Sequence, residues 1–133
     1  MASNAQGSPV KALLVEDMAV DTLVLTTMLR RFHCEITVAK NGIEAVGLFC
    51  EGMKFDIVFC AKYMPLMTGP EAIVKIRAMG QTDVKIVGMS ADDNALEAFM
   101  SAGADGFVPK PMRLDVLGAM IQEIINKKNN AVV

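Results

Sequence analysis

The sequence lacks tryptophan and has only one tyrosine, one histidine and three cysteines among its 133 residues. The cysteines, Cys34, Cys50 and Cys60, are odd in number and show no CxxC spacing, so neither a disulfide framework nor a zinc site is favoured. We interpret them as buried, reduced thiols. His33 follows a predicted helix, and we interpret it as a solvent-facing or capping residue.

Long apolar runs and an excess of one charge are also missing. No run approaches the roughly 18 apolar residues of a membrane-spanning helix, and residues 1–9 have neither the basic nor the apolar part of a signal peptide. The 13 basic and 15 acidic residues are spread along the chain and sum to −2, which leaves no basic stripe for nucleic acid. We therefore expect a cytoplasmic protein, with the nucleus also open to it, that binds neither membranes nor nucleic acid.

Apolar residues make up 53% of the chain and charged residues 21%, which is typical of a single globular domain. We predict a flexible segment at residues 1–9, one domain over residues 10–128 and a flexible end at residues 129–133. We expect this domain to be a monomer.

Short apolar runs alternate with helical periodicity five times. Strands are predicted over residues 12–15, 36–39, 57–60, 84–89 and 104–108, each followed by a helix. The apolar positions of the first helix follow helical spacing; they are Val20, Leu23, Val24, Met28 and Phe32. Strands rich in valine, isoleucine and leucine between helices favour an α/β protein with a doubly wound, five-stranded parallel sheet.

Two helix starts have a recognisable local signal. Asn41 is followed three residues later by Glu44, and Thr68 is followed three residues later by Glu71. This spacing is typical of a capping box, in which each side chain accepts a hydrogen bond from the other residue's backbone.

Polar side chains follow several of the predicted strands. In doubly wound sheets, ligands bind beyond the carboxyl ends of the strands. Two adjacent carboxylates there suit a hard divalent cation such as Mg²⁺, and a lysine and a hydroxyl would complement a bound anion. Each residue alone is also ordinary loop composition, and only their joint occurrence favours a site. The residues at these ends are Glu16, Asp17, Ala61, Ser90 and Lys110, which precedes Pro111.

Several stretches together resemble the response regulator receiver domains of two-component phosphorelays, over residues 11–128. These stretches are LLVED at 13–17, NGIEA at 41–45, MPLMTG at 64–69, SA at 90–91 and GADGFVPKP at 103–111. The resemblance implies a flavodoxin-like (βα)5 fold with strand order 2-1-3-4-5. Lys62 and the short tail without an output domain are similar to stand-alone plant-type receivers.

The resemblance also implies roles for the residues at the strand ends. Glu16 and Asp17 would bind Mg²⁺ together with the backbone carbonyl of Tyr63. Ser90 would contact the phosphoryl group and, with Phe107, change position when the domain switches.

Lys110 would contact the phosphoryl oxygens, so that Lys110 and Ser90 are the catalytic candidates. The peptide bond from Lys110 to Pro111 is expected to be cis.

Ala61 departs from the pattern, because it occupies the position of the family's phosphoacceptor aspartate. A methyl group can neither attack phosphorus nor bind a metal, so we expect weakened Mg²⁺ binding and no phosphorylation. Lys110 should then turn to solvent or toward Asp17. An introduced Asp→Ala change and a natural pseudo-receiver both explain Ala61, and the retained Glu16, Asp17, Ser90 and Lys110 favour the first.

The predicted function is that of a receiver for a phosphoryl group from a histidine-containing phosphotransfer protein or histidine kinase, in a form unable to be phosphorylated. The chain is not classed as an enzyme, although its aspartate form would catalyse its own phosphorylation and dephosphorylation. The alternative is a pseudo-receiver that acts only by binding proteins. An unrelated flavin carrier or small phosphatase is a third, disfavoured alternative. A flavin carrier would need a phosphate-binding loop after the first strand, where Glu16 and Asp17 would repel a cofactor phosphate unless a metal intervened.

Overall fold

The computed structural model describes residues 7–92 and 94–132. Five strands and five helices alternate along the described chain. They are β1 Lys11–Val15, α1 Ala19–Arg31, β2 Glu35–Ala39, α2 Gly42–Cys50, β3 Ile57–Ala61, α3 Gly69–Ala78, β4 Lys85–Ser90, α4 Ala95–Ala102, β5 Gly106–Pro109 and α5 Leu114–Val132.

The strands form one parallel sheet in the order β2-β1-β3-β4-β5. This confirms the predicted doubly wound sheet and its strand order. The central strand β3 is buried at all five positions, because helices cover both faces of the sheet.

Successive residues of a strand point to opposite faces of the sheet, and each face packs against its own helices. One apolar cluster combines Leu13 and Val58 with Phe49 of α2, Ile73 of α3 and Phe99 of α4. The other cluster lies between the sheet and helices α1 and α5, and includes Leu14, Phe59, Leu29, Leu117 and Ile121. Because the strands are parallel and packed on both faces, their carboxyl ends lie side by side at one edge of the sheet.

The two predicted helix caps are present. Asn41 Oδ1 accepts a hydrogen bond from the Glu44 backbone N–H at 2.8 Å. Thr68 Oγ1 accepts from the Glu71 N–H at 3.2 Å, and Glu71 Oε1 accepts from the Thr68 N–H at 2.8 Å. The capping box therefore fixes the start of α3 directly after the loop that follows β3.

The predicted apolar face of α1 is only partly correct: Met28 and Phe32 are half-buried and pack against the core, but its first three residues do not. Val20, Leu23 and Val24 are 69%, 63% and 43% exposed, whereas Leu25 and Leu29 are the residues packed on the sheet. Both sets repeat with helical spacing, and the rotation of the helix is decided by its packing against α5 and the sheet. Together with Met18, which is 55% exposed, the three exposed residues form what we call the α1 surface.

The last helix extends beyond residue 128, the predicted end of the domain. Helix α5 continues to Val132. Residues 126–132 contain no glycine or proline that would end the helix, and Lys128 forms an ion pair with Asp56 at 3.1 Å. The predicted flexible N-terminal segment lies mostly outside the described residues. In the part of the chain that the structure describes, no helix is long and apolar enough to cross a membrane.

Candidate functional site

A lysine and two carboxylates meet at the carboxyl end of the sheet. Lys110 Nζ lies 2.8 Å from Glu16 Oε2 and 3.1 Å from Glu16 Oε1. It also lies 2.9 Å from Asp21 Oδ2 in the first turn of α1. We call Glu16, Asp21 and Lys110 the Lys110 triad.

Burial and pairing act in opposite directions on the triad. The side chain of Glu16 is 1% exposed, and this burial raises its pKa although the hydrogen bond and charge of Lys110 oppose the rise. Burial alone would lower the pKa of Lys110, but its hydrogen bonds to Glu16 and Asp21 raise it. The ammonium therefore stays charged, and it neutralises a carboxylate that is costly to bury alone.

The expected position of Lys110 is wrong. Its side chain turns neither to solvent nor toward Asp17, which is exposed. It turns to Glu16 and Asp21 because these carboxylates satisfy all three donors of the ammonium. Sequence reasoning missed Asp21, and its signal would have been an acidic residue in the first helical turn after the acidic pair.

Ala61 is the last residue of β3, and it is 2% exposed. Gly69, at the start of α3, packs against its backbone so closely that a Cβ on Gly69 would lie 2.0 Å from the Ala61 carbonyl oxygen. The Gly69 N–H donates to the Lys62 carbonyl at 2.9 Å. The backbone at this strand end is thus held in place, and its side chain is a methyl group without charge or lone pair.

A second polar cluster joins the loops after β3 and β4. Asp92 Oδ2 accepts from Lys62 Nζ at 3.0 Å and from the Tyr63 hydroxyl at 2.9 Å. The Asp92 Oδ1 accepts from the Asn94 N–H at 3.0 Å. The hydrogen bond from Asn94, followed by those from Lys62 and Tyr63, lowers the pKa of Asp92 to about 2. We call Lys62, Tyr63 and Asp92 the Asp92 clamp; sequence analysis missed it.

Of the two residues expected to switch, Ser90 contacts the Asp92 clamp and Phe107 packs beside Phe99. Ser90 is 4% exposed, and its Oγ accepts from the Asp92 N–H at 3.0 Å. The ring of Phe107 lies 6.0 Å from the ring of Phe99. Ser90 therefore connects the end of β4 to the Asp92 clamp. The peptide bond between Lys110 and Pro111 is cis, as the resemblance implies.

A cavity of about 350 Å³ lies next to the Lys110 triad, between α1 and the loop that leads into α5. Its walls are mainly apolar, and the triad forms its polar end. The apolar lining includes Leu14, Val24, Leu25, Met89, Pro111 and Met112.

The residues present fit a magnesium ion poorly. Both oxygens of Glu16 accept from Lys110, and position 61 offers a methyl group. Over residues 7–92 and 94–132, no group of three histidine, cysteine, aspartate or glutamate side chains is placed to hold a metal ion. Of the predicted magnesium pair, only the carboxylate of Asp17 is not hydrogen-bonded to Lys110 and could still bind the ion.

Comparison with known proteins identifies the family of the chain. Residues 12–122 match the response regulator receiver domain family. The chain is 55% identical to two-component response regulator ORR42 of Oryza sativa over 131 residues, which is 98% of each protein. It is 31% identical to two-component response regulator 24 of Arabidopsis thaliana over 123 residues, 91% of this chain and 88% of that protein.

Solved structures show the same fold. One is the co-crystal structure of the Saccharomyces cerevisiae histidine phosphotransfer protein Ypd1 with the receiver domain of Ssk1, with a TM-score of 0.78, 26% identity, and coverage of 86% of this chain and 88% of that one. Another is the receiver domain of the Pseudomonas aeruginosa sensor histidine kinase PA1611, with a magnesium ion coordinated in its active site cleft. That match has a TM-score of 0.79 and 28% identity, and covers 90% of this chain and 99% of the other. The chain belongs to the response regulator receiver domain family.

Proposed function

We propose that this receiver domain binds a histidine phosphotransfer protein or histidine kinase of a two-component phosphorelay without accepting its phosphoryl group. The observation that carries the proposal is the buried methyl of Ala61 at the end of β3. In the family, this position belongs to the aspartate that attacks phosphohistidine. Phosphoryl transfer needs an oxygen nucleophile aligned with the leaving nitrogen, and a methyl group has none.

The nearby carboxylates do not replace the missing one. Glu16 is buried and hydrogen-bonded to Lys110, and Asp21 shares the same ammonium. The Mg²⁺ site proposed for Glu16, Asp17 and the Tyr63 carbonyl is weakened because the third carboxylate is absent. The roles proposed for Ser90, Phe107 and Lys110 in phosphorylation then belong to the aspartate form of the domain.

The α1 surface supports binding to a protein partner. Met18, Val20, Leu23 and Val24 expose apolar side chains next to the carboxyl end of the sheet. A patch of large exposed apolar side chains is typical of a protein interface. A receiver domain structurally similar to this chain has been crystallised with the phosphotransfer protein Ypd1. A protein partner of this kind suits the α1 surface.

Ala61 has two candidate origins. Retention of Glu16, Asp17, Ser90 and Lys110 favours an introduced Asp→Ala change in a phosphorylatable parent. A natural binding module is the second candidate. It is favoured by the hydrogen bonding of the site, since no buried side-chain nitrogen or oxygen among the described residues lacks a partner. The codon for position 61 in the gene would distinguish the two.

Intact-mass measurement after incubation with acetyl phosphate tests the proposal. The chain should gain no phosphoryl group, and the Ala61→Asp variant should gain one that is lost on mild alkaline hydrolysis. A phosphoryl adduct on the unaltered chain, on Asp17 or elsewhere, would overturn it.

A further inference from the structure

The rim of the crevice at the carboxyl end of the sheet carries more negative than positive charge. Four carboxylates surround two ammonium groups among the described residues of this rim. The ammonium of Lys110 is bound to Glu16 and Asp21, and the ammonium of Lys62 is bound to Asp92. The fourth carboxylate, on exposed Asp17, has no cation partner among the ion pairs of the described chain. The formal charge of the rim is therefore −2 from these six side chains.

The Lys110 ammonium is not free to receive a new anion. The Lys110 ammonium donates its three hydrogen bonds to Glu16 Oε1, Glu16 Oε2 and Asp21 Oδ2, at 3.1, 2.8 and 2.9 Å. A phosphoryl oxygen would have to displace one of these charged acceptors. Displacing Glu16 would leave a carboxylate buried without a partner, which is costly.

A divalent cation does not correct this imbalance. Both Glu16 oxygens are engaged, and Ala61 supplies no ligand. Mg²⁺ bound through Asp17 alone would keep most of its waters and be held weakly. An incoming dianion therefore meets a crevice whose net charge is negative and whose Lys110 ammonium is already engaged.

We propose that this domain distinguishes the phosphorylation state of its partner, and binds the unphosphorylated histidine protein in preference to the phosphohistidine form. The inference rests on the proposed docking of a histidine phosphotransfer protein. Placing like charges opposite each other weakens an interface strongly, whereas an unmodified imidazole brings no negative charge. A protonated imidazole would even be attracted by the negative charge of Asp17. The domain would thus sequester the partner molecules that have already lost their phosphoryl group.

The experiment measures affinity for the two partner states. Each histidine phosphotransfer protein of the chain's own source organism is purified and titrated against the domain, before and after phosphorylation with phosphoramidate, with and without Mg²⁺. We expect the unphosphorylated form to bind about tenfold tighter or more, a difference of about 1.4 kcal/mol. Raising the salt from low to high concentration should reduce this ratio, because Asp17 is exposed to solvent and Asp21 is partly exposed.

Charge-neutral variants supply the matched test. The double variant Asp17→Asn, Asp21→Asn should bring the two affinities together. The variant Asp83→Asn, which removes an exposed carboxylate at the opposite end of the sheet, should leave the ratio unchanged. Inorganic phosphate alone should cause no NMR shift changes at Lys110 or Ser90.

The outcomes separate the two proposals. Equal affinity for both partner states, or tighter binding of the phosphorylated state, overturns this inference and leaves the docking proposal intact. No binding of either state to any of the phosphotransfer proteins overturns the docking proposal and this inference with it.

Discussion

Lys110 Nζ lies 2.8 Å from Glu16 Oε2, and this contact joins two residues that are 94 positions apart in the chain. It connects the end of β1 with the loop after β5 across the mouth of the crevice. Glu16 is nearly inaccessible to solvent, with 1% of its side chain exposed, while Lys110 retains 23%. The lysine proposed to contact a phosphoryl group in the aspartate form thus holds a structural ion pair in this chain.

Removing the lysine should destabilise the fold. Lys110→Met leaves the Glu16 carboxylate buried without its partner, and we expect the free energy of unfolding to fall by about 3 kcal/mol. Lys85→Met is the matched control: its partner Glu123 is 69% exposed, so its loss of stability should be much smaller. Urea denaturation of both variants measures the difference, and equal losses would contradict the structural role of the triad.

The loss of stability in Lys110→Met should depend on pH, and its direction follows from the raised pKa of Glu16. Burial already raises the pKa of Glu16 above its ordinary value of 4.5, and removal of Lys110 should raise it further. When the pKa of a carboxyl group is higher in the folded than in the unfolded state, the fold loses stability as the pH rises from the unfolded-state pKa through the folded-state pKa. The defect of Lys110→Met should therefore be small below about pH 4.5 and grow toward neutral pH. A defect that is constant from pH 4 to pH 8 would refute an ionised Glu16 as its cause.

Restoring the third carboxylate should restore magnesium binding. One charge-assisted contact contributes about 1.5–3 kcal/mol, so Ala61→Asp should bind Mg²⁺ roughly tenfold to a hundredfold more tightly than the unaltered chain. Isothermal titration calorimetry compares the two. Adding Asp17→Asn to the Ala61→Asp variant is the control and should lower the affinity again. Equal affinities of the unaltered chain and Ala61→Asp would show that position 61 takes no part in binding the ion.

The sheet and the helix caps could be predicted because their signals are local. Buried strands appear as short apolar runs, and the cap between Thr68 and Glu71 depends on residues three positions apart. The exposed face of α1 could not be predicted, since both Leu23 and Leu25 lie on apolar stripes with helical spacing. The choice between the stripes depends on how the helix packs against the rest of the fold.

The strand-end residues were predicted by type, but their pairing was not. Asp21 meets Lys110 across 89 positions, and Asp92 meets Lys62 across 30. Such partners are chosen by tertiary packing and by which charges burial leaves in need of compensation. A single sequence contains no local signal for that choice.

Tyr63 offers a direct reporter for the Asp92 clamp, because the chain has one tyrosine and no tryptophan. A carboxylate that accepts a hydrogen bond from the phenol quenches its fluorescence. We therefore expect Asp92→Asn to increase tyrosine emission at pH 7, while the exposed control Asp83→Asn leaves it unchanged. Identical spectra for the two variants would exclude the contact between Tyr63 and Asp92 in solution.

Acid titration of the unaltered chain tests the same clamp. The pKa of Asp92 is lowered from 3.8 to about 2, so its stabilising contribution is present above pH 3.8 and is lost as the pH falls toward 2. Tyrosine emission should stay quenched through pH 4 and rise only below it. A rise centred above pH 4 would indicate that Asp92 is not held by its neighbours.

Gly69 should be required for the position of the strand end that carries Ala61. A Cβ at Gly69 would lie 2.0 Å from the Ala61 carbonyl oxygen, so Gly69→Ala must shift either α3 or the loop after β3. We expect a loss of about 1–3 kcal/mol from this overpacking. Gly47→Ala, in the interior of α2 with no atom within 4 Å of the new Cβ, should instead stabilise the fold by about 0.5–1 kcal/mol. Thermal unfolding of both variants measures whether stability falls in Gly69→Ala and rises in Gly47→Ala. Unchanged stability of Gly69→Ala would contradict the close approach of Gly69 to the Ala61 carbonyl.

The α1 surface should affect partner binding without contributing to stability. Leu23 is 63% exposed, so Leu23→Gln should change the free energy of unfolding by no more than about 0.5 kcal/mol. If a phosphotransfer protein docks on this helix, the loss of an apolar contact at the centre of the surface should weaken binding about tenfold. Leu96→Gln on α4, at a residue that is 51% exposed, removes a comparable side chain from a different face and should leave the affinity unchanged. Because both substitutions introduce the same neutral side chain, a difference between them would identify α1 as the docking helix, and a loss of affinity only in Leu96→Gln would place the partner on α4 instead.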